Sequence, residues 1–276
     1  MKKVIIYSFA LMLAALPALA VAETAEPATD ILAPADSIGR PAADTDNNLL
    51  RAALRGWHVN VGAGFEIGGT SPLPLPRSIR KIESFNPLLN LYVEGIAHKK
   101  FTKHWGIATG LRFEIKGMKT KANVKDYHME MTADDGGFME GAWTGHVETK
   151  VRNTYLTLPV LATYTFNNDR WQVSAGPYVS VLLDGGFSGA AYDGYIRHHD
   201  PTGEKAYVTH ATYNFSHDVR RWAWGLQVGG QFRAYKHLLV KVNLDWGFNS
   251  IFPADFESVT FKLYPIYGTL GFAYDF

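Results

Sequence analysis

The sequence contains no cysteine among its 276 residues. Disulfides, cysteine-ligated metals, a thiol nucleophile and a lipid-anchored cysteine are therefore excluded. The formal net charge is only +1, so charge gives no reason to expect nucleic acid as a partner. Beyond the amino terminus, the sequence has no apolar run of the ~20 residues that a membrane-spanning helix needs. A helical membrane protein is excluded for that part of the chain.

The amino terminus has the three parts of a secretory signal. Lys2 and Lys3 are followed by an apolar segment over residues 4–16 and then by the small-x-small sequence Ala20-Val21-Ala22. We predict a signal peptide over residues 1–22. The alternative is an uncleaved anchor, which is disfavoured because the apolar segment is short for a bilayer span.

Residues 23–55 lack hydrophobic periodicity and are rich in Ala, Pro, Asp and Thr. This composition predicts a periplasmic linker. Asn48 could cap a short helix over residues 49–54. Because an isolated helix of that length is marginal in water, a frayed linker end is favoured over a membrane-surface helix or a barrel plug.

From residue 56 the apolar residues alternate with polar ones, which is the period of a β-strand. The alternation predicts strands over residues 56–67, 88–99, 105–120, 151–166, 171–184, 222–235, 238–250 and 260–276. Each is long enough to cross a bilayer at a tilt, which takes ~9–11 residues. We therefore predict an all-β fold over residues 56–276, a single eight-stranded antiparallel up-and-down transmembrane β-barrel.

The two faces of these predicted strands differ completely in charge. One face is apolar and uncharged. The other carries nine charged residues: Glu66, Glu94, Arg112, Glu114, Lys116, Asp184, Arg233, Lys241 and Asp245. Glycines such as Gly64 and Gly110 accompany the charged face, where they would leave room for long side chains inside a narrow barrel. On a wet outer surface they would only weaken the strands. The charged face is therefore predicted to line the lumen and the apolar face to contact lipid, the reverse of a soluble lipocalin-like barrel.

Aromatic residues and connection lengths support a membrane barrel. The predicted strand ends carry aromatic residues in two groups, one with Trp57, Trp105, Phe166, Trp171 and Phe276, and the other with Trp222, Trp224, Trp246 and Phe248. Such groups are typical of the two girdles at the membrane interfaces. Short connections alternate with long ones at residues 68–87, 121–150 and 185–221. This alternation predicts external loops at those positions and places both termini in the periplasm.

Three segments resemble a known family. They are YLTLPVL at residues 155–161 running into YTF at 164–166, AGPY at 175–178, and the closing LGFAYDF at 270–276. Over residues 57–276 the chain resembles the porin-family or PorT-like outer-membrane barrels of Bacteroidota. The resemblance implies an outer-membrane barrel and an insertion signal at Phe276 for the barrel-assembly machinery. It implies no single activity, because the family is functionally mixed.

The predicted lumen charges allow two interpretations. Charges enclosed in a narrow lumen must pair or bind water, because an unpaired buried charge costs several kcal/mol or more. A salt-bridged plug is the leading interpretation, since barrels this narrow are usually filled and water-filled channels need roughly sixteen strands. The alternative is a gate or a narrow path for small solutes.

No motif predicts a metal, a cofactor or an enzyme. His198-His199-Asp200, His210 and His217 have suitable ligand chemistry, but their spacing does not predict a site. The His-x-Ser pattern expected of a lipid A deacylase is absent from the sequence. The leading hypothesis is a non-enzymatic barrel in contact with outer-membrane lipid and lipopolysaccharide, whose long loops bind an envelope or extracellular protein partner. A lipid A-modifying enzyme is the alternative class.

Overall fold

The structure is a computed structural model that describes residues 56–133, 136–198, 202–256, 258–259 and 261–276. The predicted signal peptide over residues 1–22 and the predicted linker over residues 23–55 lie outside the described residues. Within the described ranges, no helix is long and apolar enough to span a bilayer.

One antiparallel sheet contains all eleven strands of the described residues. The strands are β1 (Trp57–Pro72), β2 (Ile79–Pro87), β3 (Asn90–Lys100), β4 (Trp105–Ala133), β5 (Phe138–Thr165), β6 (Trp171–Asp184), β7 (Phe187–Arg197), β8 (Ala206–Asn214), β9 (Trp222–Arg233), β10 (Leu238–Gly247) and β11 (Leu263–Asp275). Strands β4 and β5 are by far the longest, with 29 and 28 residues.

The sheet closes on itself. Strand β1 pairs with β3 on one side and with the last strand, β11, on the other. From β3 the pairing continues through β4, β5, β6, β9 and β10 back to β11. Closure matters because it leaves no unpaired backbone edge around the ring, which is a requirement for a sheet surrounded by lipid.

The prediction of an eight-stranded up-and-down barrel is wrong, because the described residues form eleven strands in one sheet. The three additional strands, β2, β7 and β8, lie in the segments that were predicted to be external loops. Strand β2 pairs with residues 118–124 of β4, and β7 pairs with residues 142–151 of β5. The alternation in these segments is irregular, and β2 has two register shifts against β4, so the strands there are defined by their pairing with β4 and β5 rather than by a regular pattern of apolar residues.

The extensions of β4 and β5 build a separate feature, which we call the arm. The arm comprises residues 118–133 of β4 and 138–151 of β5, together with β7 and β8. Its pairing runs from β4 to β5, β7 and β8, and Thr132 and Ala133 of β4 pair with β8 to close a second, smaller circuit. Buried apolar side chains fill this circuit, including Met129, Met131, Trp143, Ala191, Ile196 and Ala211.

The two ends of the barrel differ. The tight turns at residues 101–104, 166–170 and 234–237 lie at the end that holds Trp57 and Phe276, which we call the terminal end. The arm lies at the opposite end, the loop end. At the loop end Trp224 and Trp246 both pack edge-on against Phe248. Aromatic residues therefore mark both ends of the wall, in the two groups that the sequence predicts.

The apolar face points outward. Large side chains on this face are exposed, and the exposed fraction is 42–54 % for Phe65, Leu91, Leu111, Leu158, Val228, Val242 and Leu270. The charged residues Glu66, Glu94, Arg112 and Glu114 are instead buried inside. This inside-out arrangement is the one that a barrel wall in lipid requires.

Candidate functional site

The interior of the barrel holds a cluster of charged side chains, which we call the lumen cluster. It comprises Glu66, Glu94, Arg112, Glu114, Lys116, Lys241 and Asp245, contributed by strands β1, β3, β4 and β10. All seven side chains are buried. Strand alternation explains why they meet, because every second residue of each strand points into the lumen.

Arg112 lies at the centre of the lumen cluster. Its Nε donates to Glu94 Oε2 at 3.0 Å and its Nη1 donates to Asp245 Oδ2 at 2.9 Å. Its Nη2 donates to Gln227 Oε1 at 3.2 Å. The guanidinium also stands over the ring of Tyr92, 5.4 Å from the ring centroid. One side chain thus links strands β3, β9 and β10 to β4.

Two lysines complete the pairing. Lys116 Nζ donates to Glu114 Oε1 at 2.7 Å and lies 3.6 Å from Asp245 Oδ2. Lys241 Nζ donates to Glu94 Oε1. Thr157 donates a further hydrogen bond to Glu114 Oε1 at 2.6 Å. Hydrogen-bonded pairs of this kind are what offset the desolvation of buried charges.

Two glycines create the space for the aromatic lining of the lumen cluster. A Cβ on Gly64 would lie 2.8 Å from Tyr92 Cε1, and a Cβ on Gly271 would lie 2.3 Å from Tyr92 Oη. Neither position can therefore carry a side chain while Tyr92 stays where it is. The glycines allow the Tyr92 ring to lie against the wall and support Arg112.

Glu66 is the exception within the lumen cluster. Both of its carboxylate oxygens are buried and have no hydrogen-bond partner among the described residues. Oxygens of Glu66, Glu114 and Asp245 all lie within 4.8 Å of one another, a grouping with the donor chemistry of a cation site. Lys116 Nζ already contacts two of these three carboxylates. The cluster as a whole has four carboxylates and three cationic side chains.

Two residues predicted for the lumen network are not part of the lumen cluster. Asp184 is exposed at the loop-end terminus of β6. Arg233 lies near the terminal end, where its Nη2 donates to Asp275 Oδ2 at 2.7 Å. Asp184 is the last residue of β6 and Arg233 is the last residue of β9. Although both have inward parity, neither lies at the depth of Arg112 in the lumen. Strand parity predicts the face of a residue but not its depth along the lumen.

The interior has cavities of very different size on the two sides of the lumen cluster. Towards the terminal end, a cavity of about 20 Å³ lies beside Glu94, Arg112 and Lys241. That volume is close to the space that one water needs. Towards the loop end, a much larger cavity of about 330 Å³ opens between β2, β4 and β11. The lumen cluster separates the two.

A group of charged pairs lies on the outer face where the arm begins. Glu148 of β5 accepts hydrogen bonds from Lys119 and Lys121 of β4, with N–O distances of 2.6 and 3.0 Å. The hydrogen bond from Lys119 holds the pKa of Glu148 below its usual range, and the one from Lys121 acts in the same direction. Such charges would be costly against lipid, so they mark the limit of the lipid-facing wall.

The remaining predicted residues lie outside the lumen. Phe276 is 70 % exposed at the terminal end, and its backbone N–H donates to Val59 O at 3.1 Å. Its role as an insertion signal stays a prediction. In the histidine group, His198 Nδ1 lies 3.0 Å from the backbone oxygen of Glu140, while His199 and Asp200 lie outside the described residues.

A closed antiparallel sheet with an apolar outer face and a charged interior defines an integral β-barrel membrane protein. Residues 42–253 match the family described as outer membrane protein beta-barrel domain. The chain belongs to this family, and the predicted outer-membrane location is thereby confirmed. The narrower resemblance to PorT-like barrels of Bacteroidota stays a prediction, as does the periplasmic position of the termini.

Comparison with solved structures finds similarity to Ail, the attachment invasion locus protein of Yersinia pestis. The structure of Ail in complex with the heparin analogue sucrose octasulfate is 8 % identical, with a TM-score of 0.36 over 80 % of this chain and 99 % of that chain. A second structure of Ail is 9 % identical, with a TM-score of 0.33 over 80 % of this chain and 97 % of the other. No curated protein matches the chain.

Proposed function

We propose that this protein is a non-enzymatic outer-membrane anchor whose lumen is plugged and whose arm contacts an envelope or extracellular partner. The lumen cluster is the observation that carries the proposal. Arg112, Lys116 and Lys241 bind carboxylates across the full width of the lumen, and the cavity on the terminal side has room for about one water. A solute would have to break several buried ion pairs to pass.

The structure of the arm supports the proposal that it contacts an envelope or extracellular partner. Its closed pairing and buried apolar filling make it a folded structure rather than a set of loops. Two large aromatic residues near the ends of its hairpins, Phe138 and Tyr207, are 67 % and 78 % exposed. Exposed aromatic side chains are enriched at protein interfaces. The arm is therefore the surface that we assign to partner binding.

The plugged lumen predicts very low conductance. The purified protein in a planar bilayer should produce no large, stable ion currents, because the lumen cluster fills the passage. A sixteen-stranded porin in the same bilayer serves as the positive control. Large and stable currents from the unmodified protein would contradict the plug and favour the narrow-conduit alternative.

The proposal also predicts that the arm is outside the cell. The sequence has no cysteine, so single introduced cysteines can be labelled without background. Lys205→Cys, in the connection between β7 and β8, should react with a membrane-impermeant maleimide in intact cells. Lys103→Cys, in an exposed turn at the terminal end, should react only after the outer membrane is permeabilised. The reverse pattern would show that the termini, and not the arm, face outward.

A further inference from the structure

The inner face of β4 changes from charged to apolar residues directly on the loop-end side of the lumen cluster. Arg112, Glu114 and Lys116 point inward, and the next inward residues along the strand include Met118, Ala122 and Val124. The inward residues of β2 opposite them, such as Ile79 and Ile82, are also apolar. The loop-end half of the interior is thus apolar, although it lies directly next to the charged lumen cluster.

This apolar half contains the cavity of about 330 Å³. None of the described residues that line it carries a charge. Their polar groups are limited to the backbone and to hydroxyls from Thr70, Ser71, Thr120, Tyr127 and Thr149. The volume lies in the range of small-molecule sites, ~300–1,000 Å³. Apolar cavities of even ~150 Å³ stay dry and take up hydrocarbons.

The cavity is closed towards the lumen cluster and open towards β2. On the closed side, the backbone N–H of Thr70 donates to Met118 Sδ at 3.3 Å, and a Cβ on Gly69 would lie 2.9 Å from that sulfur. On the open side, Leu75, Ile82 and Phe85 line the cavity yet are 54 %, 52 % and 50 % exposed. Apolar surface is therefore presented at the mouth as well as along the walls.

We propose that this cavity binds the hydrocarbon chain of an uncharged single-chain amphiphile, whose hydroxyl head hydrogen-bonds to the lining hydroxyls. A charged head drawn into the cavity would lose its hydration without finding a counter-charge, which is strongly unfavourable. The chain enters from the loop end, because the lumen cluster closes the other side. The inference does not rest on the arm binding a protein partner.

Photolabelling of the whole protein tests the proposal. The protein is transferred from detergent to an amphipathic polymer and incubated with a diazirine derivative of decanol, and labelled peptides are mapped by mass spectrometry. We expect saturable labelling of residues 79–85 and 118–124. Free decanol should compete at a concentration about tenfold lower than decanoate, because the carboxylate resists burial. Labelling that does not saturate, or equal competition by the two compounds, would overturn the proposal.

A matched pair of variants tests whether the photolabel binds in the cavity. Ala122 lines the cavity, whereas Ala162 faces outward on β5. Ala122→Phe should reduce saturable labelling by about tenfold, since the ring occupies the space of the chain, and Ala162→Phe should leave it unchanged. The faster gel migration of unboiled barrels verifies folding, and Val147→Phe fills the same cavity from β5 if Ala122→Phe does not fold. Undiminished labelling of a folded cavity-filling variant would contradict the proposal.

Discussion

Replacing Arg112 with methionine is expected to lower the free energy of unfolding of the barrel by about 3–5 kcal/mol. Methionine keeps most of the side-chain volume, so the loss comes from charge and hydrogen bonding. The substitution leaves Asp245 Oδ2 without its 2.9 Å partner and Glu94 Oε2 without its 3.0 Å partner. Both carboxylates are buried, and each keeps only one cationic neighbour, Lys241 for Glu94 and Lys116 for Asp245. Their desolvation would then be only partly offset, which is costly for buried charges.

Urea unfolding of the protein in lipid vesicles measures this loss, with the shift between fast and slow gel migration as the readout of folded barrel. Lys103→Met is the control, because Lys103 lies in an exposed turn and exposed substitutions usually change stability by less than ~0.5 kcal/mol. Glu66→Gln is a second control within the lumen cluster, since the Glu66 oxygens have no hydrogen-bond partner among the described residues. A loss below ~1 kcal/mol for Arg112→Met would show that water replaces the guanidinium.

A double-mutant cycle separates the contribution of the Arg112–Asp245 ion pair to stability from that of the other contacts of Arg112. If Arg112 mainly offsets the charge of Asp245, then Asp245→Asn in the Arg112→Met background should recover part of the lost stability. Residues in one hydrogen-bonded network usually show coupling energies of ~0.5–3 kcal/mol. Additive effects of the two substitutions would mean that Arg112 acts mainly through Glu94 or Tyr92.

The lumen cluster shows what alternation alone can predict. Glu94 and Arg112 share the inward face in the sequence, and the structure places them directly opposite each other on β3 and β4. The inward face of each residue follows from the period of two. Which carboxylate meets which cation depends on strand register, and the sequence pattern does not specify register. Arg233 illustrates the limit, because it has inward parity but pairs with Asp275 near the terminal end.

The arm was missed because its alternation is interrupted. Along β4 the buried residues are Met118, Ala122 and Val124 and then, after a register shift between Val124 and Tyr127, Met129 and Met131. At this bulge Asp126 adopts a left-handed conformation with φ of 51°. A bulge inserts one residue and exchanges the two faces of the strand. The predicted strand stops at residue 120, and beyond it the bulge prevents one unbroken alternation from covering the rest of β4, which continues to Ala133.

Truncating Trp143 tests whether the arm is a folded unit. Trp143 is fully buried in the closed circuit of β4, β5, β7 and β8, and two glycines make room for its ring. A Cβ on Gly194 would lie 2.6 Å from Trp143 Cζ2, and one on Gly145 would lie 2.8 Å from the same atom. Trp143→Ala should therefore leave a cavity and cost about 3–5 kcal/mol.

The loss should be local to the arm, because the barrel wall keeps its own pairing and its lumen cluster. We expect amide hydrogen exchange in β7 and β8 to accelerate strongly in Trp143→Ala, while the barrel retains its fast gel migration. Trp222→Ala is the matched control, since Trp222 is 59 % exposed. Trp143→Phe should lose much less stability than Trp143→Ala, because the buried indole N–H has no hydrogen-bond partner among the described residues. Unchanged amide hydrogen exchange in β7 and β8 would show that the buried apolar side chains do not stabilise the arm. The surface assigned to partner binding would then have to be held rigid by other contacts.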